Sequence, residues 1–542
     1  MAYRAIAAFV LSMLVILLYD YFFLPKKHIK QTSPPAVAPV QPQQPKEAKV
    51  RSTPPVPLKT EKSIFVPTDS GREIVVSTPL YKAILCENGA RLKRFILKKY
   101  RQTVDPNSPP QDIVFSDNTT FPLGIRFLHS DLPLDRVMFK ADKTKLDLSS
   151  QDREKTITFT ANVGGILIEK TFTFYPDDYH IDFNVSFINQ SLPPFQDNLV
   201  VFLVNKWPED KKDRYGFQGA ILWLNDKFEE VKWKDIKKHE VVKTGKLQWA
   251  GLSDKYFMTT IVNQVADKAT FIVNNKNGLL VGEFLTPPLE ITSQRKTVSF
   301  LLYFGPKELD RLKKLDYHLD KAVHFGFFDS IAKLLLYVLK WFYKYSHNYG
   351  IAIILLTVVI KILFWPLTHV SFKSMRELQK LQPHIARLKE KYKDDKEALN
   401  RELMNLYKTY KVNPMGGCLP IILQIPVFFA LYKALLYAIE LRHANFITYL
   451  PFTDKIWLAD LSAKDPYYIT PILMGISMMV QQKMTPSTMD PTQSKMMLLM
   501  PIFFTFLFLN FPSGLVIYWL VNNLLSIVQQ FYINRSIHQD GG

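Results

Sequence analysis

The chain has 542 residues, a formal net charge of +19 at pH 7 and 47% hydrophobic residues. Its length points to more than one domain. Its basic excess fits nucleic acid, anionic lipid or an acidic partner, and once apolar spans are found, cytoplasmic loops that obey the positive-inside rule explain it most simply. The sequence has no zinc-like Cys/His spacing, no P-loop and no dinucleotide fingerprint, so those metal and nucleotide chemistries are set aside. The two cysteines, Cys86 and Cys418, fall in segments read below as separate compartments, so no internal disulfide is expected.

Within residues 1–25, Ala5 to Leu24 form an apolar run interrupted by Ser12 and Asp20, with no small-residue cleavage site close behind it. They read as an uncleaved transmembrane signal anchor. Residues 26–60 carry Pro34, Pro35, Pro39, Pro42, Pro45, Pro54, Pro55 and Pro57, a composition for an extended linker that buries no core. Residues 61–320 read as one all-β domain. In 180–187, Ile181, Phe183, Val185 and Phe187 alternate with His180, Asp182, Asn184 and Ser186, the period of a half-buried strand. Residues 156–159, 166–174 and 299–304 repeat that pattern, separated by turn signals such as Gly164-Gly165 and Pro176-Asp177-Asp178. Many such strands predict a large antiparallel sandwich. His180 and Asp182 suggest acid–base chemistry only if a pocket joins them; a solvated sheet face is the plainer reading.

Residues 326–346 are amphipathic. Phe328, Ile331, Leu335, Val338, Phe342 and Tyr345 recur at helical spacing, away from Lys333, Lys340 and Lys344, as expected of a helix lying in the membrane interface. Residues 349–368 are long enough to span a bilayer as a helix. They contain Lys361, about 18 Å along the helix from Tyr349 at 1.5 Å per residue. A Lys at that depth costs about 2.5–3.5 kcal/mol on insertion scales, so it is expected to face protein or a water-filled groove unless it snorkels to the interface.

The segment 370–412 holds two apolar stripes, one through Met375, Leu378, Leu381, Ile385, Leu388 and Tyr392, the other through Leu399, Leu403, Leu406 and Tyr410. They predict an α-helical hairpin turned at Lys393-Asp394-Asp395. Its basic surface, including Arg376, Lys380, Arg387, Lys389 and Lys391, places it in the cytoplasm. Further spans are read at 416–438, 467–484, 495–510 and 513–533. The last carries a polar line of Tyr518, Asn522, Ser526 and Gln529 down one face. This line either ties helices together or lines a hydrated groove with Lys361, Thr357 and Gln424. The expectation is six transmembrane α-helices, five of them forming a core over 347–535, with both termini and the short tail 536–542 inside and the β domain outside.

Four motifs carry a resemblance: VNPMGGCLPIILQIPVFFALYKAL at 412–435, LADLSAKDPYYITPILMG at 458–475, QQKMTP at 481–486 and FPSGLVIYWLVNNLLSIVQQ at 511–530. With ENGARLKRFILKKY at 87–100, IEKTFTFYPDDYHIDF at 168–183 and FGPKELD at 304–310, the sequence resembles the YidC/Oxa/Alb family of membrane protein insertases over nearly all its length except the Pro-rich linker. The resemblance implies a periplasmic β-supersandwich similar to mutarotase-like domains. It also implies a core that inserts and helps fold nascent inner-membrane proteins, alone or with the Sec translocon.

The family places a positive charge, usually Arg in its bacterial members, in a hydrophilic groove; Lys361 stands at the matching position. Trp519 stands where many members have Tyr. Some relatives have a long ribosome-binding tail, which 536–542 does not provide. The groove and client-binding set is therefore Lys361, Thr357, Gln424, Phe428, Tyr518, Trp519, Asn522 and Ser526. Implied partners are nascent membrane proteins, the Sec translocon, the ribosome in transient contact and the lipid bilayer, with no specific nucleic acid. No catalytic residue, metal or cofactor is expected, and no ATP use. A channel or secondary transporter would also want an intramembrane charge, but no inverted repeat of broken helices is visible. A tethered carbohydrate enzyme would need acid and base groups in one pocket of the sandwich.

Overall fold

The computed structural model describes residues 71–115, 120–206, 216–410, 412, 419–484 and 491–539. The expected anchor, the Pro-rich linker, Cys418 and residues 540–542 lie outside them. Contacts divide the chain into two units. One joins Ile64–Thr488 with Met500–Gly542, and the other joins Met1–Ser63 with Met489–Leu499. Of the latter, only the helical residues 491–499 are among those described.

Two sheets build the β domain. Five strands, Glu73–Ser77, Tyr81–Cys86, Arg91–Arg101, Pro110–Asp112 and Lys145–Asp147, form the smaller one. The larger follows a long path in which the strand Val241–Ser253 serves both halves. Its residues 241–246 pair with the strand Lys268–Lys276, and its residues 249–253 pair with the strand Phe257–Asn263. The halves meet face to face where Phe127 packs on Phe187 at 5.2 Å and Phe284 on Phe300 at 5.9 Å between ring centroids. This is the sandwich expected from period-two sequence, since alternate side chains of each strand supply one apolar face. The strand His180–Asn189 shows how. Ile181, Phe183, Val185 and Phe187 are buried, and it pairs on both sides, with Ile166–Phe174 and Lys296–Pro306.

One residue breaks the apolar face. Lys170 shares the parity of Ile166, Ile168, Phe172 and Phe174, all of them buried, and is itself fully buried. Its ammonium donates to the carbonyls of Gly89 at 2.6 Å, Leu123 at 2.8 Å and Ala90 at 3.3 Å. Three acceptors match its three N–H groups. Burial nevertheless drives its pKa well down. The parity alone exposes Lys170 as an inward charge, a signal that the reading of strand 166–174 passed over.

After a short helix, α1 (Leu309–Leu315), the chain becomes helical: α2 (Asp329–Ser346), α3 (Tyr349–Lys380), α4 (Gln382–Lys391), α5 (Lys396–Thr409), α6 (Leu419–Tyr437), α7 (Ile469–Met484), α8 (Pro491–Phe508) and α9 (Ser513–Gln539). Among the described residues, α3 and residues 513–533 of α9 are long and apolar enough to cross a membrane, and α6 and α8 hold shorter apolar stretches. α2 buries Ala332, Leu335, Leu336 and Leu339 and turns Leu334, Tyr337, Trp341 and Tyr345 outward. Asn348 caps α3, accepting from the Ile351 amide at 3.1 Å and donating to the Phe446 carbonyl at 3.0 Å. Gly350 is required there, because a Cβ would sit 2.1 Å from the Phe446 ring.

α3 differs from the expected span ending near residue 368. It runs on through Pro366 to Lys380, 32 residues or about 48 Å at 1.5 Å per residue. That exceeds the roughly 30 Å of bilayer hydrocarbon. The expected hairpin therefore has the end of α3 and α4 as its first arm and α5 as its second. Leu378, Leu381, Ile385 and Val412 are buried together, with Leu403, Leu406 and Tyr407 packed on them. Asp395 starts α5 by accepting from the Glu397 and Ala398 amides at 3.0 and 2.9 Å, an N-cap of the usual kind.

Candidate functional site

The helical part reverses the usual distribution of polarity. Large apolar side chains face outward: Ile362 is 65% exposed and Leu363 73% on α3, with Ile472 and Ile476 on α7, Phe506 on α8 and Val528 and Phe531 on α9 also exposed. Polar side chains face inward. On α9, Asn523, Ser526, Gln529 and Gln530 are all buried. Large apolar side chains exposed on four helices mark an interaction with membrane or protein.

Lys361 lies at the centre of this arrangement. Its Nζ donates to the Ser526 hydroxyl at 2.7 Å, and the Ser526 hydroxyl donates to the Asn522 carbonyl at 2.8 Å. No carboxylate among the described residues acts on this ammonium. Thr357, one turn before Lys361, is buried, and its hydroxyl donates at 2.6 Å to the Ile353 carbonyl of its own helix, so it serves α3 rather than the opposing helix. Gln424 on α6 is half-buried, and the Tyr518 hydroxyl on α9 is buried with no hydrogen-bond partner among the described residues. Phe428 meets Trp519 edge to face at 4.8 Å, and Trp519 leans on Phe508 at 5.5 Å. From Phe428 the aromatic contacts continue through Phe429 to Phe328, just before α2.

The structure thus joins Lys361 with Ser526 and the Asn522 backbone, and Phe428 with Trp519, and it brings the Tyr518 hydroxyl to neither. Tyr518 and Ser526 are two turns apart, about 12 Å along α9, so the polar seam runs down the helix rather than closing into one point. A second polar line escaped the sequence reading. Asn523 donates to the Ser477 hydroxyl of α7 at 3.1 Å, and Ser477 donates back to Met474 O at 2.6 Å. Its signal was the buried-type spacing of Asn523 and Gln530, one position off the chosen stripe.

The basic residues named for the helical pair fall mostly on its surface. Lys380, Arg387 and Lys391 are exposed, while Arg376 and Lys389 are half-buried. Lys391 lies 5.1 Å from the Tyr392 ring.

The loop between α6 and α7 holds a third cluster, unseen in the sequence. Arg442 donates to the Arg101 carbonyl at 2.8 Å and to Gln111 Oε1 at 3.0 Å, with its guanidinium 5.2 Å from the Phe257 ring. Lys340 of α2 pairs with Asp310 of α1 and, at 3.4 Å, with Glu440. Burial pushes the Glu440 carboxyl up, and Lys340 draws it back down. Asp465 is buried and takes four donors. Trp457 Nε1 at 2.9 Å and the Tyr467 amide at 3.0 Å reach one oxygen, and the Thr470 amide at 2.7 Å and hydroxyl at 2.8 Å reach the other. In the β domain, His180 and Asp182 do not form a pair. His180 faces Asp178 at 3.4 Å, and Asp182 accepts from the Tyr175 hydroxyl at 2.7 Å.

A β-sandwich followed by helices that turn apolar side chains outward and polar ones inward defines a class, a membrane protein with a separate β domain. Residues 73–338 match the family described as YidC periplasmic domain, and residues 341–540 match the 60Kd inner membrane protein family. The chain is 44% identical to the membrane protein insertase YidC of Syntrophus aciditrophicus (strain SB), over 98% of this chain and 99% of that one. It is 43% identical to the insertase YidC of Maridesulfovibrio salexigens, over 98% and 99%. A solved structure of an active YidC insertase with its first transmembrane domain resolved aligns over 86% of this chain and 93% of its own, at 19% identity and a TM-score of 0.38. The chain belongs to the YidC family of membrane protein insertases.

Proposed function

We propose that this protein inserts nascent proteins into the inner membrane and assists their folding, without enzymatic turnover or a cofactor. The observation that carries the reading is the charge of Lys361, which has no carboxylate partner among the described residues and is held by Ser526 among helices whose outer faces are apolar. A polar groove that enters the bilayer shortens the hydrocarbon a client's hydrophilic segment must cross. The Lys361 ammonium attracts acidic residues of that segment in a medium where charges interact more strongly than in water. The client's apolar helix then leaves along the exposed apolar faces into lipid, driven by burial of its own surface.

In this reading six helices span the membrane: 1–25, 349–368, 416–438, 467–484, 495–510 and 513–533. The helical pair 370–412 and both termini lie in the cytoplasm. The length of α3, beyond what the hydrocarbon needs, supports a rod that carries the pair into the aqueous phase. Its exposed Lys380, Arg387 and Lys391 suit contact with a translating ribosome or anionic lipid, and the Sec translocon is a further partner. Gln424, Phe428, Trp519 and Asn522 line the client's path with Lys361 and Ser526, while the buried Thr357 and Tyr518 pack behind it.

Reconstitution tests the proposal. Purified protein in liposomes should make a small membrane client resistant to external protease across its inserted segment, with no solute flux and no sugar turnover. Empty liposomes that protect the client equally well would defeat it.

A further inference from the structure

We propose that Ser526 is a positioning residue for the insertion reaction: its hydroxyl is a neutral tether that holds the Lys361 ammonium in the seam until an acidic residue of the client displaces it. The proposal rests on the insertase reading above and adds to it a named contact with a direction. Lys361 sits one residue before Ile362 and two before Leu363, both largely exposed on α3. A flexible lysine stem on that edge is free to swing toward the lipid interface unless something holds its end. The partner seen is Ser526, buried on α9, with Nζ to Oγ at 2.7 Å.

The polarity of this link is fixed. An ammonium only donates, and a serine hydroxyl has one proton to give. That proton goes to the Asn522 carbonyl at 2.8 Å, so the Ser526 lone pairs are aimed at Lys361, and the chain Lys361–Ser526–Asn522 polarises in one sense.

The chemistry of the tether matters as much as its place. A carboxylate there would neutralise Lys361 and compete with the client. A hydroxyl locates the charge and leaves it positive. A client carboxylate makes the stronger, charge-assisted bond and takes the ammonium over. Lysine needs such a partner more than arginine does, because its ammonium is a point charge on a flexible stem, whereas the guanidinium fork is planar and pre-organised.

The test uses the full-length protein in proteoliposomes with Ser526→Ala, Ser526→Thr, Lys361→Met and the Ser526→Ala/Lys361→Met double variant. Two quantities are read. The first is labelling of Lys361 by a membrane-permeant amine-reactive ester, quantified by peptide mass spectrometry. The second is insertion of one client with an acidic or a neutral translocated tail. Ser526→Ala should raise Lys361 labelling several-fold, and Ser526→Thr should restore the wild-type level. Ser526→Ala should also slow the acidic-tail client by about tenfold or more, the scale of one hydrogen bond to a charged group, and slow the neutral-tail client less. In the Lys361→Met background it should subtract nothing further. Unchanged labelling in Ser526→Ala overturns the proposal, and so does an equal loss for both tails or an equal loss without Lys361, since a packing role gives those results. If labelling responds as expected while Lys361→Met inserts acidic tails at the wild-type rate, the tether stands and the proposed function of the groove fails.

Discussion

Arg442 fastens the loop between α6 and α7 to the β domain, and its removal should loosen that joint. Its guanidinium gives two hydrogen bonds, to Arg101 O and Gln111 Oε1, and lies over Phe257 at 5.2 Å and Tyr256 at 5.8 Å. Hydrogen bonds from a charged donor contribute about 1.5–3 kcal/mol each, and a partly desolvated cation–π contact about 1–2 kcal/mol. Burial opposes these gains and lowers the Arg442 pKa, and Arg442 Nη1 is buried without a hydrogen-bond partner among the described residues. A net loss of about 3 kcal/mol for Arg442→Ala follows, or roughly a 100-fold shift toward the undocked loop. Arg442→Lys should lose about half of that, since an ammonium keeps the charge but not the fork. Hydrogen exchange in detergent micelles reads the effect directly. Amides in 99–112 and 441–462 should exchange faster in Arg442→Ala, while the core strand His180–Asn189 stays protected. The Lys340 contacts with Asp310 and Glu440 remain in the variant, so the domain stays attached. Equal exchange in variant and wild type at both segments would show that Arg442 does not control docking.

Asp465→Asn replaces an oxygen that receives two donors with an amide that cannot accept them; the helical part should lose about 2–4 kcal/mol, seen as a lower melting temperature in detergent. Gln529 is 0% exposed, and neither amide atom has a partner among the described residues. Gln529→Leu should therefore stabilise the protein by about 1–3 kcal/mol, read as a higher melting temperature in detergent; an unchanged or lower melting temperature would contradict it. Lys307, whose Nζ donates to Asp254 O at 2.7 Å, is pushed by burial from 10.5 down to about 8. Between those values the unfolded chain binds more protons than the folded one, so this group makes stability rise with pH from about 8 to 10.5, and its full penalty is present below 8. Relative to Lys307→Met, the wild type should gain melting temperature on going from pH 7 to pH 10; a constant difference would contradict the assignment.

The parts legible in the sequence were those with a local cause. Period-two alternation gave the strand at Ile181, Phe183, Val185 and Phe187, because each side chain's face is fixed by its parity. Lys361 stood out because one charge in an apolar run is costly wherever the run goes. Helix ends were harder. The apolar run stops near residue 368, yet α3 continues through Pro366 to Lys380, with the Thr368 hydroxyl donating to the Phe364 carbonyl at 2.8 Å within it. The partners of site residues were not legible at all. Whether Thr357 serves its own helix or the seam, or that Ser526 rather than Gln424 receives Lys361, depends on how α3, α6 and α9 are rotated. Arg442 meets Arg101 across 341 residues, a contact that no local pattern encodes.

The central claim is that a positive charge at position 361 attracts the client's acidic residues. It is tested most directly by one client with zero, one or two acidic residues in its translocated tail, inserted by wild type, Lys361→Arg, Lys361→Ala and Lys361→Glu, each shown to be folded. The account predicts that Arg inserts every tail, that Ala loses progressively more as acidic residues are added, and that Glu loses most of all. If Ala matches the wild type for every tail, the Lys361 charge takes no part in insertion, and the groove acts through hydration and membrane thinning alone.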